Sequence, residues 1–184
     1  MRKLIGILIA IALVLVGVGV VRPHTLRLMH ESWEPVVQQR VQVSLGGQDW
    51  FELTQLGDYV VFLEGPPKDP LWESGNLPWV QILNGQTHQP VPGNREGVDF
   101  AYEFDGKRAR SIARVSISQA GDYEASFGSA EVVGLRDRGF VLTLCPAKLV
   151  VEQSRKSTTW MIGGIALGIV MGIFGLSSLM GSSD

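Results

Sequence analysis

The charged residues of this chain are confined to its middle. Neither Leu4–Val21 nor Trp160–Met180 contains Lys, Arg, Asp or Glu, and of the 16 basic and 18 acidic side chains all but Arg2, Lys3 and Asp184 lie between these runs. An α-helix rises about 1.5 Å per residue, so the first run reaches about 27 Å and the second about 31 Å, against a hydrocarbon core of about 30 Å. Each is long enough to cross a bilayer. The runs also explain why 45% of the chain is hydrophobic and its mean hydropathy is +0.16, too apolar for a disordered chain and slightly too apolar for a soluble domain. A plain soluble enzyme, a multi-span transporter and a coiled coil are excluded.

The expected layout is a cytoplasmic N-terminus (1–3), a first membrane helix (4–21), a juxtamembrane linker (22–40), a β-sandwich (41–150), a second linker (151–159), a second membrane helix (160–180) and a cytoplasmic tail (181–184). Met1-Arg2-Lys3 and the small-x-small site Gly17-Val18-Gly19 also fit a secretory signal peptide. The length of the run, its continuation into Val20-Val21 and the stop at Arg22-Pro23 favour an uncleaved anchor. Arg2 and Lys3 place the N-terminus in the cytoplasm and the middle domain outside, in a bacterial inner membrane, although Arg22, Arg27, Lys148, Arg155 and Lys156 flank the runs on the domain side.

The second run carries Gly164, Gly168 and Gly172 in register, two overlapping GxxxG units. Without a hydrophobic drive to pair helices in lipid, association relies on close backbone approach, which glycines one turn apart allow. The expected helix-packing set is Gly164, Gly168 and Gly172, with Gly6 and Ala10 of the first run as a small-xxx-small counterpart; another subunit or a second copy of the chain is the other partner. Trp160 and Lys156 suit the membrane interface, the ring at headgroup depth and the ammonium reaching outward.

Between the runs the hydrophobic period is two. Arg40–Leu45, Tyr59–Leu63, Trp79–Leu83, Val98–Phe104, Ala109–Ile117, Tyr123–Phe127 and Phe140–Leu144 read as short strands separated by Gly, Pro, Asn and Asp. The helical stripe Leu26, Met29, Trp33, Val37 is interrupted by Pro35, which limits it to a short juxtamembrane helix. Asp105-Gly106 signals a two-residue hairpin turn. That turn sets Glu103 opposite Arg108, Tyr102 opposite Ala109, Phe100 opposite Ser111 and Val98 opposite Ala113, and brings Asp99 diagonal to Arg110. Cross-strand carboxylates thus answer two of the three arginines Arg108, Arg110 and Arg114. With 14 basic against 17 acidic residues between the runs, net −3, nucleic acid is not an expected partner.

The segment Ile117-Ser-Gln-Ala-Gly121-Asp122-Tyr123-Glu-Ala125 resembles the tyrosine corner of immunoglobulin-like domains, in which a Tyr hydroxyl bonds back to upstream backbone. The resemblance implies a β-sandwich with Gly121 and Tyr123 as structural residues, with the strands at Tyr59, Trp79, Ala113 and Tyr123 in the B, C, E and F places. The Cys pair of antibody-type domains is missing, Ala125 standing at one of its positions. Trp79 shares parity with Gln81 rather than with Val80 and Ile82, on the face away from the core. A second start, Gly57-Asp58-Tyr59, makes the layout similar to bacterial two-span membrane proteins of unassigned function, which implies an extracytoplasmic, non-catalytic role.

Chemistry is sparse in this chain. Cys145 is its one cysteine, so there is no internal disulfide or Cys-cluster metal site, and His24, His30 and His88 are not spaced as ligands. No P-loop, nucleophile elbow or dinucleotide fingerprint occurs. No catalytic residue, metal or cofactor is expected. The candidate partner contacts are Trp72, in the long segment Pro66–Pro78, and Trp33 near the first run; the other reading of Trp72 is that it folds back over the core. The expectation is a non-enzymatic accessory or scaffolding subunit of a membrane complex, with an extracytoplasmic ligand-sensing or envelope-stress protein as the alternative.

Overall fold

In the computed structural model, residues 22–45, 49–94, 99–127 and 131–180 are described. The chain order is α1 (Arg22–Gln38), β1 (Val41–Ser44), β2 (Asp49–Leu53), β3 (Gly57–Gly65), α2 (Leu71–Ser74), β4 (Val80–Asn84), β5 (Gly93–Asn94), β6 (Ala101–Phe104), β7 (Lys107–Ile117), β8 (Gly121–Phe127), α3 (Glu131–Asp137), β9 (Val141–Pro146) and α4 (Ala147–Met180). The fold is mainly β, in two antiparallel sheets. The larger has the order β1-β9-β3-β7-β5, with β6 also on β7; the smaller is β2-β8-β4. Trp33–Gln153 forms one compact unit that holds both sheets, and the described residues before and after it belong to a second.

The seven expected strands are present, joined by β2 and the two-residue β5. β2 begins beside undescribed residues and mixes charge with aromatics, so it shows no clean alternation. Side chains between the sheets form the main core, including Val61, Leu63, Ile82, Tyr123, Leu142 and Leu144. From Tyr59 to Gly65, β3 is buried at every position. It pairs with both β7 and β9, and its odd and even residues enter two different cores. This is why Tyr59-Val-Val-Phe-Leu63 is an unbroken apolar run: a strand covered on both faces has no polar face to alternate with.

The second cover is helical, and here two expectations are corrected. Pro35 does not stop α1, which runs on to Gln38. A helical proline costs about 3 kcal/mol, but Trp33 and Val36 on either side are buried against the large sheet and repay about 1.5–3 kcal/mol each. The segment 151–159 is not a linker, because α4 starts at Ala147 directly after β9 and continues through it.

The Asp105-Gly106 turn forms with both residues at positive φ, +49° and +69°, and sets the expected register of Glu103 with Arg108 and Tyr102 with Ala109. Phe100 meets Ser111 as expected, its carbonyl accepting from the Ser111 amide; the pairing of Val98 lies outside the described residues. The charges distribute differently from expectation. Arg114 pairs with Asp58 of β3 at 2.6 Å, and Arg108 lies 5.7 Å over the Trp72 ring, because β7 packs against β3 along most of its length and meets side chains beyond its own hairpin.

The recurrence at Tyr59 and Tyr123 is longer than three residues: Gln55-Leu-Gly57-Asp58-Tyr59 and Gln119-Ala-Gly121-Asp122-Tyr123. In each, glycine opens the strand at positive φ, +122° and +150°, and the tyrosine hydroxyl donates to the glutamine carbonyl four residues back, at 3.1 Å for Tyr59 and 2.5 Å for Tyr123. One corner opens a strand of each sheet. Burial and then the neighbouring Tyr123 raise the Tyr59 pKa. Removal of one such hydroxyl leaves a carbonyl without its donor, a loss of about 1–2 kcal/mol. Tyr123→Phe is expected to lower the unfolding free energy by that amount, read as a lower urea midpoint at unchanged slope; an unshifted midpoint contradicts the corner's role.

Candidate functional site

The helix-covered face of the large sheet holds the most unusual chemistry in the chain. Val60 and Phe62 of β3, Tyr102 of β6, Ala109 of β7 and Cys145 of β9 pack with Trp33 and Val36 of α1 and Ala147 and Val150 of α4. Trp33 stacks on Tyr102, centroids 5.0 Å apart at 21°, and Tyr102 stands edge-on to Phe62 at 5.2 Å. Glu64, next after Phe62 on this parity, is 0% exposed.

An ionised carboxylate away from water costs several kcal/mol unless it is paired and hydrogen-bonded. The Tyr102 hydroxyl donates to Glu64 Oε1 at 2.5 Å, and Arg40 Nη1 donates to the same oxygen at 3.0 Å. Arg40 sits between α1 and β1, so this pair fastens the helix-to-strand joint to the end of β3, and Tyr102 adds the β6–β7 hairpin. Glu64 Oε2 and the Thr143 hydroxyl, on the adjacent strand, have no hydrogen-bond partner among the described residues. Burial, then the Glu64 charge and its hydrogen bond, raise the Tyr102 pKa far above the phenol range, so the phenol holds its proton and acts as a donor. The same burial, followed by the Glu64 charge, pushes the Cys145 thiol up to about 12. The nucleophilic thiolate is thereby suppressed.

Sequence reasoning did not single out Glu64. Its signal is a lone carboxylate closing the apolar run Tyr59–Leu63 on the parity of Val60 and Phe62.

The two tryptophans expected to contact partners lie inside. Trp72 is 6% exposed; its indole N–H donates to the Pro66 carbonyl at 2.7 Å and its ring lies against Phe140 at 5.4 Å. Asp69 causes this fold-back: one carboxylate oxygen receives the Leu71 amide at 2.9 Å, the other receives Arg138 Nε at 2.9 Å, and α2 is thereby drawn over the end of the core. Trp33 is withdrawn by Tyr102. On the two sheets the tryptophans that do face outward are Trp79, on the face its parity indicated, and Trp50. Trp50 lies edge-on to His88 at 5.9 Å, and His88 Nδ1 is 3.7 Å from the buried Glu124.

Of the membrane set, Gly6 and Ala10 lie outside the described residues. Gly164 is half-buried in α4, and Gly168 and Gly172 lie farther along the same helix, their surroundings undescribed. Lys156 is exposed and Trp160 half-exposed. The Thr158 and Thr159 hydroxyls donate to the carbonyls of Ser154 and Arg155, each at 2.9 Å, so both are satisfied within the helix just before the apolar run. Among the described residues no helix is long and apolar enough to cross a membrane, the side chains at 167–169 and 171–180 falling outside that set.

No protein-family model, curated protein or solved structure matches the chain. One consequence of the site is directly measurable. In the folded full-length protein Cys145 is expected to stay unlabelled by iodoacetamide at neutral pH and to label fully in guanidinium; equal labelling rates in the two conditions contradict its burial.

Proposed function

We propose that the chain is a non-enzymatic accessory or scaffolding subunit of a membrane protein complex, anchored by helices at both ends of an extracytoplasmic immunoglobulin-like β-domain. The observation that carries the anchoring is the surface of α4. Trp160, Met161, Ile162, Ile165 and Val170 are each between 45% and 59% exposed, and at about 100° per residue they point to all sides of the helix. A helix apolar all round belongs in a core or in lipid, and this one continues uncharged to Met180, about 31 Å from Trp160.

The immunoglobulin-like assignment is supported by the Tyr123 corner and by the pairing of β3 with β7 and β4 with β8, which occupy the B–E and C–F places. It departs at β9, which lies between β1 and β3 rather than beside β8. The docking role is supported by the entry of α1 and α4 on one face of the large sheet and by the glycine register of Gly164, Gly168 and Gly172.

The chain is expected to stay in the membrane pellet through alkaline carbonate extraction. In mild detergent, Gly168→Leu is expected to lower recovery of the associated subunits roughly tenfold, or about 1.4 kcal/mol. Release into the carbonate supernatant, or a lone monomer indifferent to Gly168→Leu, contradicts the proposal.

A further inference from the structure

The fixed charges divide unevenly between the two compact units. Trp33–Gln153, which holds both sheets, carries 10 basic and 16 acidic residues, net −6. The described residues that adjoin the uncharged runs, 22–32 and 154–159, belong to the other unit and carry Arg22, Arg27, Arg155 and Lys156 against Glu31 alone, net +3. Glu31 already pairs with Arg27 at 2.7 Å. The unit's own acids cannot neutralise the excess, because the first run holds none and Asp184 follows the far end of the second.

The helix sets the depth of these charges. α4 is continuous from Ala147 to Met180, so Lys156 and Arg155 stand four and five residues, about 6–8 Å of rise, before Trp160, where the uncharged run begins. The headgroup layer on each side of a hydrocarbon core is about 5–7 Å deep. Both side chains are exposed, and in a bilayer that holds the run they lie at the level of the phosphates. On α1 the exposed Arg27 stands five residues, about 7–8 Å, beyond Arg22, which adjoins the first run. Lys148, at the start of α4, is also exposed but stands about 18 Å from Trp160, beyond the headgroups.

We propose that Arg27, Arg155 and Lys156 form a basic collar that gathers anionic phospholipid around the chain on the domain side of the membrane. The occupant follows from sign and depth together. A guanidinium or ammonium at this level meets headgroup phosphate, which arginine binds in bidentate fashion. In a zwitterionic lipid that phosphate is already offset by the headgroup's own cation, so only an anionic lipid brings the net negative charge that a +3 flank lacks. The proposal rests on the reading of the chain as membrane-anchored and names the lipid that the anchor selects.

The test uses the full-length chain reconstituted in phosphatidylcholine bilayers, with spin-labelled phosphatidylglycerol or spin-labelled phosphatidylcholine as the probe. The motionally restricted component is expected to favour phosphatidylglycerol roughly fivefold, and to lose most of that preference when salt is raised from about 0.1 M to about 1 M. Arg155→Gln with Lys156→Gln is expected to lower the preference to below about twofold, whereas Lys148→Gln leaves it unchanged. Inorganic phosphate is expected to reduce it no more than chloride at matched ionic strength. Equal restriction of the two lipids, a preference indifferent to Arg155→Gln with Lys156→Gln, an equal loss with Lys148→Gln, or specific displacement by inorganic phosphate overturns the proposal while the chain stays in the carbonate pellet. Absence of any restricted lipid, together with release into the carbonate supernatant, overturns the anchoring itself and the lipid preference with it.

Discussion

One buried charge disciplines this fold. Glu64 closes an apolar strand and has no access to water, so it is tolerable only where Arg40 and Tyr102 both reach it. Those two donors come from distant parts of the chain, the exit of α1 and the β6–β7 hairpin. Their convergence on one oxygen requires helix, hairpin and central strand to be in register at once. Breaking a buried pair costs far more than the pair contributes, because the remaining charge is stranded. The interaction therefore works against alternative arrangements of the helical cover more than it adds stability.

This lock lies where the proposed function needs it. The large sheet is packed on both sides, by the smaller sheet through one core and by the ends of α1 and α4 through another. Within the β-unit, the last residues of α1 and the first of α4 pack on a single face of the large sheet, beside Tyr102 and Glu64. On the smaller sheet Trp50 and Trp79 are about half exposed.

Much of the β-unit was legible. Short apolar or alternating segments bounded by turn residues located seven strands, Asp105-Gly106 fixed the β6–β7 register, and the parity of Trp79 against Val80 and Ile82 placed its ring outside. What escaped was governed by tertiary contacts. Pro35 reads as a helix stop, and only the burial of Trp33 and Val36 overrides it. Trp72 reads equally as a loop contact or a core plug, and the choice depends on Asp69 meeting Arg138, 69 residues away. Arg108 lies over the Trp72 ring, and Arg114, for which the hairpin supplies no carboxylate, finds Asp58 on β3. Glu64 was visible as an anomaly, a carboxylate continuing the parity of Val60 and Phe62, but its donors could not be named before the fold brought them together.

The lock is tested most directly by unfolding free energies for two variants. Arg40→Met alone strands the Glu64 carboxylate and is predicted to cost about 3–5 kcal/mol. The triple replacement Arg40→Met, Glu64→Leu, Tyr102→Phe removes charge and donors together and is predicted to lie within about 2 kcal/mol of the unaltered protein. A cost below about 1 kcal/mol for Arg40→Met, or a triple variant less stable than the single one, would contradict the account that a buried carboxylate organises the helix-covered face.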